Sequence, residues 1–179
     1  VNDGSWRRKY VVYRMLTMMC GLSLTACGDD DEETLEEQVP ATSERETFNA
    51  TYTVSLSENW YQYFDIEVNY TVEGAVESET IAEMDWTKDI SIPASAAPDQ
   101  FVFSVTAKPK ADAPELDPTV EEYEFSHSYS LEVSALNTDG SEESVIMQPA
   151  GKETLTFDRA GLEAAMKEGI ELFSFEKAL

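Results

Sequence analysis

The chain has 179 residues, with 12 Lys+Arg, 36 Asp+Glu and a formal net charge of −24. That length suits one domain with a tail, long enough to bury a core of its own. The charge repels phosphate backbones and anionic head groups, which argues against nucleic acid as a partner.

The charge is unevenly spread. Arg7, Arg8, Lys9 and Arg14 precede Cys27, opposed only by Asp3. From Cys27 onward this leaves 8 of the 12 basic and 35 of the 36 acidic residues, a net −27. So many carboxylates invite disorder, but the aromatic and β-branched residues after position 47 argue for a folded domain. There are 2 cysteines. Cys20 lies in an apolar run expected to be removed, so the processed chain is expected to hold only Cys27 and no internal disulfide. The core must then suffice alone, although exported proteins often use disulfides.

Residues 1–26 have the pattern of a targeting segment. Arg7, Arg8 and Lys9 supply a positive n-region, and an apolar run extends from Met15 to Leu24. That run falls short of the about 20 residues that a membrane-spanning helix needs, and it suits a signal h-region. A start at Met15 would discard the n-region, so an upstream start is expected. Leu24-Thr25-Ala26-Cys27 follows and resembles the lipobox of bacterial lipoproteins. The resemblance implies acylation of the Cys27 thiol and cleavage just before it, with the small Thr25 and Ala26 admitting the chain to the peptidase. A chain so processed is anchored to the membrane rather than spanning it, and a stable hold takes more than one acyl chain.

Gly28 and the run Asp29, Asp30, Asp31, Glu32 and Glu33 come next. They resemble the acidic export signal that follows the lipidated cysteine in surface lipoproteins of the Bacteroidota. The implied address is the bacterial outer membrane, facing outward. As physical chemistry the run is a solvated tether, since like-charge blocks repel. Contiguous carboxylates on such a tether are no preformed metal cage. Residues 27–47 are therefore taken as a lipidated acidic tether, and residues 48–179 as the folded domain.

In that domain the apolar period is two. Phe48, Ala50, Tyr52, Val54 and Leu56 alternate with polar residues, the mark of a half-buried strand. A turn at residues 57–59 leads to Phe64, Ile66, Val68, Tyr70 and Val72, so the first two strands are expected to pair as a hairpin. Gly74 ends the second. Residues 76–84 and 86–92 give two more, the latter stopped by Pro93. Phe101, Phe103, Val105 and Ala107 form another, and Pro109, Pro114 and Pro118 mark a long loop. The longest alternation covers Tyr123, Phe125, His127, Tyr129, Leu131, Val133 and Ala135. Asn137-Thr138-Asp139-Gly140 is a turn, since Asp-Gly supplies positive φ cheaply. Residues 144–148 and 153–157 are strands. Asp158 caps a helix over residues 159–168 that Gly169 ends, with Leu162 and Met166 facing the sheets. Residues 170–175 give a final strand. Such short alternating strands predict an all-β, antiparallel β-sandwich of immunoglobulin or fibronectin type with one short C-terminal helix. A calycin-like barrel is the alternative.

Catalytic signatures are absent from the sequence. His127 is the only histidine, and no Gly-x-Ser-x-Gly follows the signal, nor any His-Glu-x-x-His. A core or edge histidine with a backbone partner is expected. Glu121-Glu122, Glu142-Glu143 and Asp112 with Asp117 are carboxylate pairs, but at this acidic density a pair carries little information about glycoside hydrolysis. Asn137, Asp139, Ser141 and Glu143 lack the frame of a calcium loop. Asn49-Ala50-Thr51 and Asn69-Tyr70-Thr71 fit a glycosylation pattern of little weight in a bacterial chain. No metal or other cofactor is expected.

Trp60-Tyr61-Gln62-Tyr63-Phe64 is the stretch most suggestive of a ligand. On a strand with Phe64 inward, Tyr61 and Tyr63 would face outward as a flat platform beside Trp60, suited to a sugar ring. The alternative is packing within the domain. Trp86, in phase with Ile90 and Ile92, belongs to the core. The expected function is a non-catalytic cell-surface lipoprotein that binds neutral glycan. Its rivals are a structural or adhesion subunit with a surface-protein ligand and, more remotely, a small carboxylate-dependent hydrolase.

Overall fold

A computed structural model of the chain describes residues 44–179, all within the unit Pro40–Leu179. The signal-like segment, Cys27 and the run Asp29, Asp30, Asp31, Glu32 and Glu33 lie outside the described residues. Among the described residues the order is β1 (Arg45–Leu56), α1 (Glu58–Tyr63), β2 (Phe64–Val72), β3 (Ala75–Ile81), β4 (Asp85–Pro93), β5 (Gln100–Pro109), β6 (Glu122–Asn137), β7 (Glu142–Gln148), β8 (Glu153–Asp158), α2 (Arg159–Glu168) and β9 (Ile170–Ala178).

The strands form two antiparallel sheets. One runs β4-β1-β6-β7, with β8 also beside β6, and the other runs β3-β2-β5-β9. The architecture is thus the antiparallel sandwich that the alternation predicts, and the sheets do not close into a barrel. Period-two patterning puts every second side chain on one face. Tyr52, Val54, Ile66, Val68, Phe103 and Leu131 are accordingly buried between the sheets. The Tyr52 hydroxyl donates to Thr71 O at 3.0 Å, so a buried polar group is satisfied across the sandwich.

Three local expectations are corrected. β1 and β2 do not pair as a hairpin: β1 lies between β4 and β6, while β2 lies between β3 and β5. The segment expected to begin the second strand is instead α1, which carries the chain from one sheet to the other. Alternation reveals which face is buried but not which strand lies alongside. The first strand also begins at Arg45, before the expected Phe48.

The late helix forms as its caps predict. Asp158 accepts a hydrogen bond from Gly161 N at 2.7 Å, which satisfies one of the free N–H groups of the first turn. Gly169 ends the helix at φ 78, where a Cβ would meet Ala107 O at 3.0 Å. Leu162 is fully buried and Met166 half-buried.

β1 enters beside Asn137 and leaves beside His127. At the exit end, α1, residues 110–121 and α2 gather over the open edge of the core. Lys110 Nζ donates to Tyr61 O at 2.8 Å, and Arg159 Nη2 to Leu116 O at 2.8 Å. The residue where the described chain starts, Glu44, lies at the other end.

Candidate functional site

α1 decides the fate of the aromatic cluster. It sets Trp60 inward with 0% exposure. The indole Nε1 donates to Ser126 O at 3.1 Å, and the ring packs at 4.7 Å from Phe125. Trp60 is a core residue and offers no surface to a ligand. Residues two apart on a helix are about 200° apart around its axis, so Tyr61 and Tyr63 do not form the expected flat platform. Each is half-buried and packed against the core. The Tyr61 hydroxyl donates to Glu83 O, and burial, with Asp85 and Glu83 nearby, pushes its pKa up to about 12. Tyr63 meets Tyr123 edge-on at 6.1 Å. Phe64 is buried, as expected.

Beside this cluster lies a groove of about 510 Å³ between residues 110–116 and α2. Its floor includes the buried Leu116 and the half-buried Met166. Its walls carry Lys110, Arg159 and Lys167 with Glu115 and Glu163. Three of the eight basic residues that follow Cys27 thus line one groove. Arg159 Nε lies 3.6 Å from Glu163 Oε1, while Lys167 makes no ion pair among the described residues. Lys167 stands in the last turn of α2, where a cation also complements the helix dipole. Sequence inspection missed this groove because Lys110 lies far along the chain from Arg159 and Lys167 of α2, and only the docking of the Pro-rich loop on α2 unites them.

His127 lies inward on β6 at 6% exposure. Its expected backbone partner is not found: Nδ1 has no hydrogen-bond partner, and Nε2 faces Glu153 Oε2 at 3.6 Å. Burial lowers its pKa below the ordinary value, against the opposing pull of Glu153. The ring stacks on Tyr129. No described hydroxyl nucleophile is bonded to it.

The carboxylate pairs are dispersed. Glu143 pairs with Arg45 across the β-sheet at 3.4 Å, and Glu142 accepts from Ser134 Oγ. Asp139 accepts from Ser141 N and Oγ within the turn from β6 to β7. Among the described residues no cluster of three or more His, Cys, Asp or Glu is placed to hold a metal ion. No described helix is long and apolar enough to cross a membrane. No family model matches the chain, and neither a curated protein nor a solved structure matches it.

Proposed function

We propose that the chain is a non-catalytic lipoprotein of the bacterial cell surface that binds a glycan with the helix-capped end of its sandwich. Leu24-Thr25-Ala26-Cys27 and the acidic run behind it support the anchor and its outward orientation. The observation that carries the binding role is the groove of about 510 Å³ between residues 110–116 and α2. It combines an apolar floor with three cations, at the end opposite to Glu44.

Charge narrows the ligand. The acidic domain repels a polyanion at long range. Within the groove, three cations face two glutamates, close to balance. The glycan that fits is therefore neutral or carries a single carboxylate, and its sugar faces rest on Leu116 and Met166.

Two measurements test this. In a bacterial host with a lipoprotein export route, the parent should take up labelled fatty acid and Cys27→Ala should not. Equal labelling of both would remove the anchor. On an array of bacterial and plant glycans, the parent should be retained and Lys167→Glu should lose about tenfold in affinity, near 1.4 kcal/mol, with the fold retained although the unfolding midpoint falls, because an anion there opposes the helix dipole. If no glycan retains the parent, the binding role fails.

A further inference from the structure

On the side away from β1, β6 is paired by two strands in series. The ladder to β7 ends at Leu131 opposite Gln148, and the ladder to β8 begins at His127 opposite Glu153. Between them Ser128, Tyr129 and Ser130 have no strand partner on that side, and residues 149–152 bridge the gap. Facing the gap is β9, the edge strand of the other sheet. Its ladder to β5 shifts register between Val105 and Thr106, which leaves Leu172 unpaired. A cavity of about 210 Å³ opens there, lined by His127, Tyr129, Gln148, Glu153, Leu172 and Phe173.

Two polar atoms of the lining residues have no hydrogen-bond partner: His127 Nδ1 and the Tyr129 hydroxyl. Both residues are only 6% exposed. An unpaired buried polar group costs about 1–3 kcal/mol, so two on adjacent inward positions of one strand call for a partner from outside the protein. At about 30 Å³ per water, the cavity has several times the room that one bridging water needs.

The chemistry of that partner follows from the lining. Glu153 Oε2 stands 3.6 Å from His127 Nε2. Its negative charge favours the ring proton on that nitrogen, the tautomer in which Nδ1 is an acceptor. The Tyr129 hydroxyl both donates and accepts. The Tyr129 ring stacks on His127 with centroids 5.2 Å apart and on Phe173 at 5.0 Å, which gives the cavity an aromatic wall. An apolar ligand would leave both polar atoms unpaired, and an anionic one would meet Glu153.

We propose that this cavity binds one neutral sugar ring, with a ligand hydroxyl donating to His127 Nδ1, another bonded to the Tyr129 hydroxyl, and the C–H face of the ring against the aromatic wall. The site is separate from the helix-capped groove and does not rest on that groove's role.

Because the chain has a single histidine, the imidazole NMR signals come from His127 alone. The full chain is titrated with D-glucose, D-galactose and D-mannose, with D-glucuronate as the charged comparison. At least one neutral sugar should shift the His127 signals saturably, and glucuronate should bind at least tenfold more weakly than that sugar. Tyr129→Phe keeps the ring stack and removes only the hydroxyl. It should lower sugar affinity about tenfold while leaving the unfolding midpoint unchanged or higher. Lys167→Glu, in the other groove, should leave the shifts as they are. Three results overturn the proposal: no neutral sugar moves the signals, Tyr129→Phe binds as the parent does, or Tyr129→Phe lowers the midpoint because its hydroxyl already serves the fold through water.

Discussion

His127 shows how one residue's environment outweighs its type. A histidine in an acidic domain is expected to be held charged by its neighbours, and Glu153 does pull in that direction. Burial at 6% exposure pulls harder and lowers the pKa below 6.5. The folded-state value is then below the unfolded one, so the unfolded chain takes up the proton first as pH falls. The stability linked to His127 is fully present above about pH 6.5 and is lost as pH drops from there through the folded pKa. An NMR titration of the lone imidazole should give a midpoint under 6.5. Urea midpoints at about pH 7 and pH 5.5 should differ more for the parent than for His127→Gln, which lacks this ionisation. A midpoint above 6.5 would mean that Glu153 outweighs burial. Position 127 was legible as inward from parity alone. Its missing backbone partner was not, because that depends on the gap between two later strands.

At the scale of the element, β6 carries the most testable pattern. Leu131 is fully buried and its neighbour Ser130 faces the other side of the sheet. Leu131→Ala should cost about 2–5 kcal/mol by urea unfolding, the usual range for a large-to-small core change. Ser130→Ala should stay near the roughly 0.5 kcal/mol of surface changes. Equal losses would mean that β6 is buried on both faces. The strands were legible because their period-two alternation is imposed by burial on one face. α2 was legible because Asp158 and Gly169 are strong local cap signals. α1 was not. Its aromatic residues favour strands as isolated types, and six residues are too few for a helical period to show. What holds this turn of helix is tertiary: Trp60 Nε1 on Ser126 O and Asn59 Nδ2 on Glu124 O, both reaching across to β6. The platform expected of Tyr61 and Tyr63 went with the strand on which it depended. The groove that replaces it as the candidate site joins residues 110–116 to residues 159–167, a distance in sequence that no local pattern bridges.

For the molecule as a whole, net charge sets the sign of its response to salt. Two of the ion pairs among the described residues, Arg45 with Glu143 and Lys88 with Glu79, join side chains that are about two-fifths exposed or more. Exposed pairs of this kind contribute about 0–1 kcal/mol each. Against them stands a chain with 36 acidic and 12 basic residues, whose compact state crowds like charges that the unfolded chain keeps further apart. Raising ionic strength from about 0.01 M to about 0.15 M shortens the screening length from about 30 Å to about 8 Å. That weakens the diffuse repulsion over the whole surface, while pairs at 3.3–3.4 Å lie well inside either length. The urea midpoint should therefore rise over this range with sodium chloride, and rise as much with potassium chloride, since screening does not depend on the identity of the cation. A fall would show that the ion pairs outweigh the repulsion. A rise with calcium chloride far beyond that expected from ionic strength would show that the carboxylates bind the cation as a site rather than screen as a field.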